Sequence, residues 1–183
     1  MLLLEQEIIK KLGKFTGRRF SAMKTRIHGD YHLGQVLYTG QDFIIIDFEG
    51  EPARSMRERR IKDSPLRDVA GMINSFQYAA YAVLVQHAHI RTEDIPFLEP
   101  WAEAWYRYVA GTFLHAYLQN VKGAQFIPTL EADVQTILDI YILDKAIHDL
   151  GYEINNRPDW LLIPLRAILR LMKNAEPAEE TVK

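Results

Sequence analysis

Apolar side chains recur every three or four positions through most of the second half of the chain, with polar residues between them. The clearest run comprises Val69, Met72, Ile73, Phe76, Ala80, Val83 and Leu84. These positions follow the i, i+3, i+4, i+7 spacing of one helix face. The run therefore predicts a helix of about twenty residues that begins at Pro65, a residue well suited to the first turn of a helix.

Three further helices are predicted from the same spacing. They span about residues 97–119, 129–151 and 160–172, with Gly151 as the terminator of the second and a break at residues 155–158 before the third. On the first of them, Trp101, Trp105 and Tyr108 are three and four positions apart. That spacing is more typical of a core face than of a platform for carbohydrate.

The two ends of the chain differ from this helical body. Residues 1–22 open with an amphipathic helix in which Leu4, Ile8, Ile9 and Leu12 share one face. Charges interrupt its apolar stretch, which is too short for a signal peptide or a membrane span, so no membrane partner is expected. Residues 174–183 are polar without periodicity and are expected to form a flexible tail.

Residues 26–52 differ from the helical segments, because short β-rich runs alternate with turn residues. Residues 36–38 and 43–48 flank the turn sequence Thr39-Gly40-Gln41-Asp42, which predicts a hairpin. Residues 53–65 are charged and end in proline, which indicates an exposed loop. We therefore expect one domain over residues 1–183, mainly α with a small β-hairpin, in which residues 65–173 form a helical subdomain.

Composition narrows the function classes only slightly. The chain has 183 residues, a formal net charge of −2 and no cysteine. The charge gives no basic surface, so nucleic acid is not an expected partner. The lack of cysteine removes disulfides and thiolate chemistry and is compatible with a cytoplasmic location.

The candidate chemistry is concentrated in the hairpin region. The sequence has His28-Gly29-Asp30, then Gln35 five positions after the aspartate, then Asp47 after an apolar run. Phosphoryl transfer requires one acid that accepts the proton of the attacking hydroxyl. It also requires oxygen ligands for the magnesium ion that bridges the phosphates. The alternative is that the two aspartates are unrelated turn or capping residues.

Four segments carry a family resemblance: HGDYHLGQVL, IIIDFEGEP, SPLRDVAGM and YEINNRPDW. The first two resemble the catalytic loop and metal-binding segment of the protein-kinase-like fold, in its aminoglycoside phosphotransferase-like branch. Within that branch the four together look like maltokinases, especially those joined to trehalose synthase. The resemblance covers about residues 26–165. It implies that this chain is the C-terminal lobe of such a kinase, with the N-terminal lobe absent.

Carried over by position, the resemblance implies a role for each matched residue. Asp30 is then the catalytic base, and Gln35 and Asp47 are magnesium ligands. Glu49 is either a further metal contact or a surface acid paired with Arg54. Two more residues, His28 and Asp68, are expected to support the catalytic loop. His32 either lines the acceptor pocket or is simply solvated.

The segment from Tyr152 to Trp160 is rich in groups that bind sugars, and the resemblance places it near the acceptor site. Tyr152, Glu153 and Arg157 are the candidates for sugar contacts. The alternative is a helix-break loop in which Arg157 pairs internally and Trp160 fills the core.

The resemblance implies ATP-dependent phosphorylation of maltose to maltose 1-phosphate, with ATP and Mg²⁺ as cofactors and trehalose synthase as a possible neighbour. Two other functions remain open. One is a kinase for another hydroxyl acceptor, such as an aminoglycoside or choline; the other is a non-catalytic docking lobe. Since a nucleotide-covering lobe is not recognisable in the sequence, the chain alone is expected to have little or no turnover.

Overall fold

The computed structural model describes residues 2–13, 17–86 and 90–173. Across these ranges the helices are α1 (Leu2–Gly13), α2 (Met56–Arg59), α3 (Leu66–Gln86), α4 (Ile95–Asn120), α5 (Glu131–Asn156) and α6 (Leu162–Lys173), and the strands are β1 (Val36–Tyr38) and β2 (Phe43–Ile45). Three short 3₁₀ turns span Leu33–Gln35, Thr92–Asp94 and Pro158–Trp160. The prediction of a mainly helical domain with one small hairpin is confirmed. The expected flexible tail, residues 174–183, lies outside the described residues.

Helix α3 is the centre of the domain and packs against α4, α5 and α6. Its inward face is buried from the first turn onward, as shown by Leu66, Val69, Ala70, Met72, Ile73 and Phe76. This is the face that the apolar spacing predicts. A second core cluster joins α5 and α6 through Leu143, Ala146, Ala167, Ile168 and Leu171, and Ile8 of α1 packs against it.

The aromatic series on α4 does not form the core. Trp101 and Tyr108 are each 76% exposed and Trp105 is 46% exposed, whereas Tyr106 and Ala110 are buried. The expectation was wrong because α4 carries apolar residues on several faces, so spacing alone does not select the inward one. A small residue such as Ala110 permits a close approach of α3, which an indole at that position would prevent.

Helix α5 continues through Gly151 and ends at Asn156, so Gly151 is not a terminator. The helix ends where Pro158 follows, because the residue before a proline disfavours the helical conformation. Arg157 accordingly has φ −145° and ψ 71°. As a consequence Tyr152 and Glu153 lie on a helix rather than in a loop, and their side chains point in different directions around the helix axis.

The hairpin and the segment after it also differ in detail from the sequence prediction. Strands β1 and β2 pair antiparallel, with Val36 opposite Ile45, and β2 ends before Asp47. The charged segment 53–65 contains the one-turn helix α2. Ser55 and Glu58 form a capping box at its start, which satisfies two N–H groups reciprocally.

Among the described residues, no helix is both long enough and apolar enough to cross a membrane.

Candidate active site

The loop that carries Asp30 is fastened to α3 by Asp68. One carboxylate oxygen of Asp68 accepts the backbone N–H of His28 at 2.7 Å, and the other accepts that of Gly29 at 2.9 Å. Burial raises the pKa of Asp68, and the two N–H donors offset part of that rise. Asp68 thus fixes two consecutive peptide groups immediately before Asp30.

His28 links this loop to the end of the hairpin. Its Nε2 lies 2.8 Å from the carbonyl oxygen of Ile46, and its Nδ1 lies 3.4 Å from the backbone N–H of Asp30. A carbonyl can only accept and an N–H can only donate, so the ring must carry its proton on Nε2. The imidazole therefore connects the residue before Asp47 with Asp30 itself.

The backbone segments around Gly29 and Gly50 pass close to each other. Gly29 has φ +84° and Gly50 has φ +81°, and a Cβ on Gly29 would come within 3.4 Å of the Gly50 Cα. Glycine at both positions lets the loop that carries Asp30 and the segment after Asp47 approach each other closely.

Gln35 and Asp47, both predicted as magnesium ligands, contact each other. Gln35 Nε2 donates to Asp47 Oδ2 at 2.9 Å, and Gln35 is only 9% exposed. Asp47 has φ +61°, and no other non-glycine residue in the described part of the chain has a positive φ. Such a backbone conformation is sparsely populated outside glycine and is concentrated at functional sites.

The donor set fits Mg²⁺ as a nucleotide-bound ion. The described residues contain no group of three or more histidine, aspartate or glutamate side chains arranged to hold a metal. Magnesium commonly binds through one or two carboxylates and the substrate phosphates rather than in an all-protein cage. An amide oxygen of Gln35 and a carboxylate oxygen of Asp47 suit that arrangement.

Glu49 is exposed and lies two residues beyond Asp47. The surface pairing that the sequence suggested for it is not seen, because the Arg54 guanidinium lies 3.9 Å from Asp144 instead.

Asp30 is half-buried and lies beside His32. His32 Nδ1 accepts the backbone N–H of Gly34 at 3.0 Å, which directs Nε2 toward Asp30 Oδ2 at 3.7 Å. His32 lowers the pKa of Asp30, desolvation opposes this, and the charge of Lys145 lowers it further. The net direction is downward, so Asp30 is an ionised acceptor at neutral pH.

A cleft of about 980 Å³ opens beside Asp30, between the loop that carries it, α3 and α5. The sequence-predicted residues that line it are Asp30, His32, Tyr152, Glu153 and Arg157. The structure therefore brings the predicted base and the predicted sugar contacts to one cleft, although more than a hundred residues separate them in the chain.

Within this cleft Glu153 and Arg157 are paired with each other. Glu153 is 1% exposed and receives two hydrogen bonds from the Arg157 guanidinium, at 2.9 and 2.7 Å. The Tyr78 hydroxyl donates a third at 3.1 Å. The guanidinium also lies 4.4 Å from the centre of the Trp160 ring, and this ring stacks on Tyr78. The internal pairing that the sequence left open is thus present, and Glu153 has little capacity left for a ligand.

The sequence reasoning missed several other polar residues of the cleft, among them Glu51, Asn74, Lys145 and Asp149. Charged residues recur every four positions along α5 and its C-cap and form two ion pairs, Lys145 with Asp149 and Glu153 with Arg157. That stripe was a usable signal. Asn74 gave none, because it lies among the apolar residues of α3 and its role depends on α5.

Lys145 and Asp149 form an ion pair at the centre of this stripe. Lys145 Nζ lies 3.1 Å from Asp149 Oδ1 and 3.8 Å from Glu51 Oε2. Burial lowers the pKa of Lys145, but Asp149, Glu51 and Asp30 outweigh it, so the pKa lies above its usual value. Lys145 is therefore a fixed positive charge near the carboxylate of Asp30.

The comparisons with known proteins agree on one kind of enzyme. No protein-family model matches the chain. It is 25% identical over 143 residues to a glucosamine kinase of Streptacidiphilus jiangxiensis, which covers 75% of this chain and 29% of that protein. It is 26% identical over 146 residues to a glucosamine kinase of Mycolicibacterium smegmatis, which covers 79% of this chain and 34% of that protein.

Solved structures give the same result for the fold. A glucosamine kinase in complex with glucosamine, ADP and inorganic phosphate has a TM-score of 0.65 at 22% identity, over 80% of this chain and 34% of the other. Crystal form A of a glucosamine kinase gives a TM-score of 0.67 at 21% identity, over 81% of this chain and 34% of the other. The chain is therefore similar in sequence to glucosamine kinases and shares the fold of part of them, spanning about a third of their length.

Proposed function

We propose that this chain is the catalytic and acceptor-binding lobe of an ATP-dependent sugar kinase. The observation that carries the proposal is the contact of Gln35 with Asp47, at 2.9 Å, tied through His28 to the loop of Asp30. Two oxygen ligands for a nucleotide-bound cation and one ionised acceptor next to an open cleft are what phosphoryl transfer to a hydroxyl requires.

In this mechanism Asp30 orients the acceptor hydroxyl and takes its proton as the new O–P bond forms. The bond between the γ-phosphorus and the ADP oxygen breaks, and ADP leaves with that electron pair. Gln35 and Asp47 would hold Mg²⁺, which neutralises charge on the phosphates when it is bound. A low pKa does not disqualify Asp30, because in a loose transition state the proton leaves late and positioning provides most of the acceleration.

The hairpin supports the presence of a further covering segment. Leu37, Phe43, Ile44 and Phe48 are between 50% and 66% exposed. A concentration of large exposed apolar side chains in one short segment is typical of an interaction site. We propose that a nucleotide-binding lobe covers it and that the chain without this lobe turns over little or no substrate, because nothing would exclude water from the nucleotide.

For the acceptor we propose maltose, phosphorylated to maltose 1-phosphate in the cytoplasm, with trehalose synthase as a neighbour. The support is the sequence resemblance in the catalytic loop, in residues 47–52 and in residues 152–160. The second candidate is glucosamine, which is favoured by the names of the similar proteins and by the glucosamine bound in one neighbouring structure.

The test is an assay of phosphate transfer from ATP with Mg²⁺, using the chain alone and together with the sequence encoded immediately upstream. The acceptor panel contains maltose, glucosamine, glucose, an aminoglycoside and choline. Asp30→Asn is expected to lower kcat by at least ~100-fold, the lower range for loss of a general base. Glu93→Gln, at an exposed glutamate of the Thr92–Asp94 turn outside the cleft, is the control. Equal rates for Asp30→Asn and the parent would remove Asp30 as the base.

A further inference from the structure

The carboxylates on the α5 side of the cleft are already matched with cations. Asp149 receives Lys145 at 3.1 Å on Oδ1 and the Asn74 amide at 2.6 Å on Oδ2, and His148 Nδ1 lies 3.6 Å from Oδ1. One turn later Glu153 is held by both nitrogens of Arg157. Neither carboxylate retains an unpaired charge for a cationic ligand.

Unlike these two carboxylates, the side chain of Asn74 has a polar atom without a hydrogen-bond partner. It is 3% exposed, and its Nδ2 must be the atom that faces Asp149, because a carboxylate can only accept. The amide orientation is therefore determined by the contact. Asn74 Oδ1 is buried, and within the described residues it is the one buried side-chain polar atom without a hydrogen-bond partner. Buried acceptors are almost always paired, so this oxygen calls for a donor.

Lys145 supplies the complementary group. Its ammonium has three N–H donors, of which one is directed at Asp149 at 3.1 Å and a second faces Glu51 at the longer distance of 3.8 Å. Asn74 and Lys145 line the same cleft as Asp30. Both side chains contact Asp149, so an unpaired acceptor and a cationic donor share one carboxylate partner in the wall of this cleft. A hydroxyl group can satisfy such a set as both donor and acceptor.

Resting on the proposed sugar-kinase function, we propose that Asn74 and Lys145 are specificity-determining residues that select a neutral sugar over an amino sugar. A neutral sugar hydroxyl donates to Asn74 Oδ1 and accepts from Lys145. The ammonium of an amino sugar could donate, but it would face the like charge of Lys145 and would find Asp149 already neutralised. Like charges at close range inside a protein oppose binding.

The test compares glucose with its 2-amino analogue, and maltose as the larger neutral sugar. In the parent, kcat/KM and the directly measured affinity are expected to favour the neutral sugars. Lys145→Met removes the charge and keeps the length of the side chain. It is expected to lower kcat/KM for glucose about tenfold, the value of one charge-assisted hydrogen bond. The kcat/KM ratio of glucose to its amino analogue should also fall by about tenfold or more, since Asp149 then lacks its ammonium partner.

Three further variants separate specificity from folding. Lys145→Arg keeps the charge and is expected to retain the preference for the neutral sugar. Asn74→Ala is expected to raise KM for all three sugars about tenfold, with a smaller change in kcat, because a binding contact rather than the base is lost. Lys122→Met, at an exposed lysine on another surface, should leave all ratios unchanged. Thermal melting identifies any variant that does not fold, and Lys145→Gln then replaces Lys145→Met.

Affinity is measured by calorimetry without nucleotide, so the two proposals fail in different ways. Sugar binding without phosphate transfer, in the presence of the upstream sequence and ATP, would refute the kinase proposal alone. Tighter binding of the amino analogue by the parent, no binding of any of the three sugars, or an unchanged ratio in folded Lys145→Met would refute the assignment of Asn74 and Lys145.

Discussion

Among its neighbours, His32 has the largest influence on the pKa of Asp30. His32 is held by the Gly34 N–H so that its Nε2 faces the carboxylate at 3.7 Å, and this contact lowers the pKa of Asp30. Burial would otherwise raise the pKa. Asp30 therefore has a lowered pKa in a half-buried position where an isolated carboxylate would be less acidic.

We predict that His32→Ala moves the acid limb of the pH profile of kcat/KM to higher pH. Removing the group that lowers the pKa of Asp30 lets desolvation raise it, so the protonated and inactive form persists to a higher pH. The measurement is kcat/KM for the sugar acceptor as a function of pH. The control is His115→Ala, which lies on α4 outside the cleft. An acid limb at the same pH in His32→Ala would show that His32 does not set the charge of Asp30.

Asp68 gives a second prediction at the residue scale. Asp68→Ala leaves the N–H groups of His28 and Gly29 without their acceptors, which are at 2.7 and 2.9 Å in the native protein. The expected loss is about 1–3 kcal/mol in the free energy of unfolding, since two partly buried donors become unpaired. Urea denaturation measures it. A loss no larger than that of exposed Asp159→Ala would contradict the anchoring role.

At the scale of elements, the loop that carries Asp30 is positioned by close contact with α3. A Cβ added at Gly71, in the second turn of α3, would lie 2.7 Å from the backbone carbonyl oxygen of Tyr31. Leu33 N–H also donates to Ser75 Oγ at 3.0 Å, one turn further along the same helix. The loop therefore lies directly on the helix, and the absence of a side chain at Gly71 sets the distance between them.

We predict that Gly71→Ala destabilises the chain although alanine favours helices. Overpacking against a backbone carbonyl costs about 1–3 kcal/mol and displaces the loop that carries Asp30. Gly111→Ala in α4 is the matched control, because a Cβ there meets nothing within 4 Å. It is expected to stabilise by up to ~1 kcal/mol from helix propensity alone. Thermal unfolding of the two variants should shift in opposite directions, and a stabilised Gly71→Ala would refute the close contact.

At the scale of the whole molecule, the apolar surface is distributed unevenly. The core lies between α3 and the helices that pack on it, whereas the hairpin exposes Leu37, Phe43, Ile44 and Phe48. Burial of an exposed phenylalanine or isoleucine contributes roughly 1.5–3 kcal/mol. A segment that covered the hairpin would therefore be stabilised by burial of these side chains.

We predict that the chain alone self-associates or binds a hydrophobic dye through this surface. Phe43→Lys together with Ile44→Glu should lower the associated fraction in sedimentation experiments, since charges on an exposed strand oppose edge pairing. Trp101→Lys on the exposed face of α4 is the control for loss of a large apolar side chain. Equal association of the hairpin variant and the parent would show that the hairpin does not mediate the association.

The sequence by itself determined the helical body, the hairpin and the order of the candidate chemical groups. These features are local: helix periodicity extends over a few turns, and Asp30, Gln35 and Asp47 lie within eighteen positions of one another. Local spacing also placed Asp68 at the start of α3, because the apolar run fixes where that helix begins.

Only the tertiary structure decided which of these groups share a cleft and which are already paired. Asn74 contacts Asp149 across 75 positions, and Gly71 touches Tyr31 across 40. Spacing also could not choose the buried face of α4 or the true end of α5, which depend on α3 packing and on Pro158. Such contacts follow from how helices pack, and many pairings of faces are compatible with the same periodic pattern. The packing of α3 against α5 is therefore the physical event that forms the cleft.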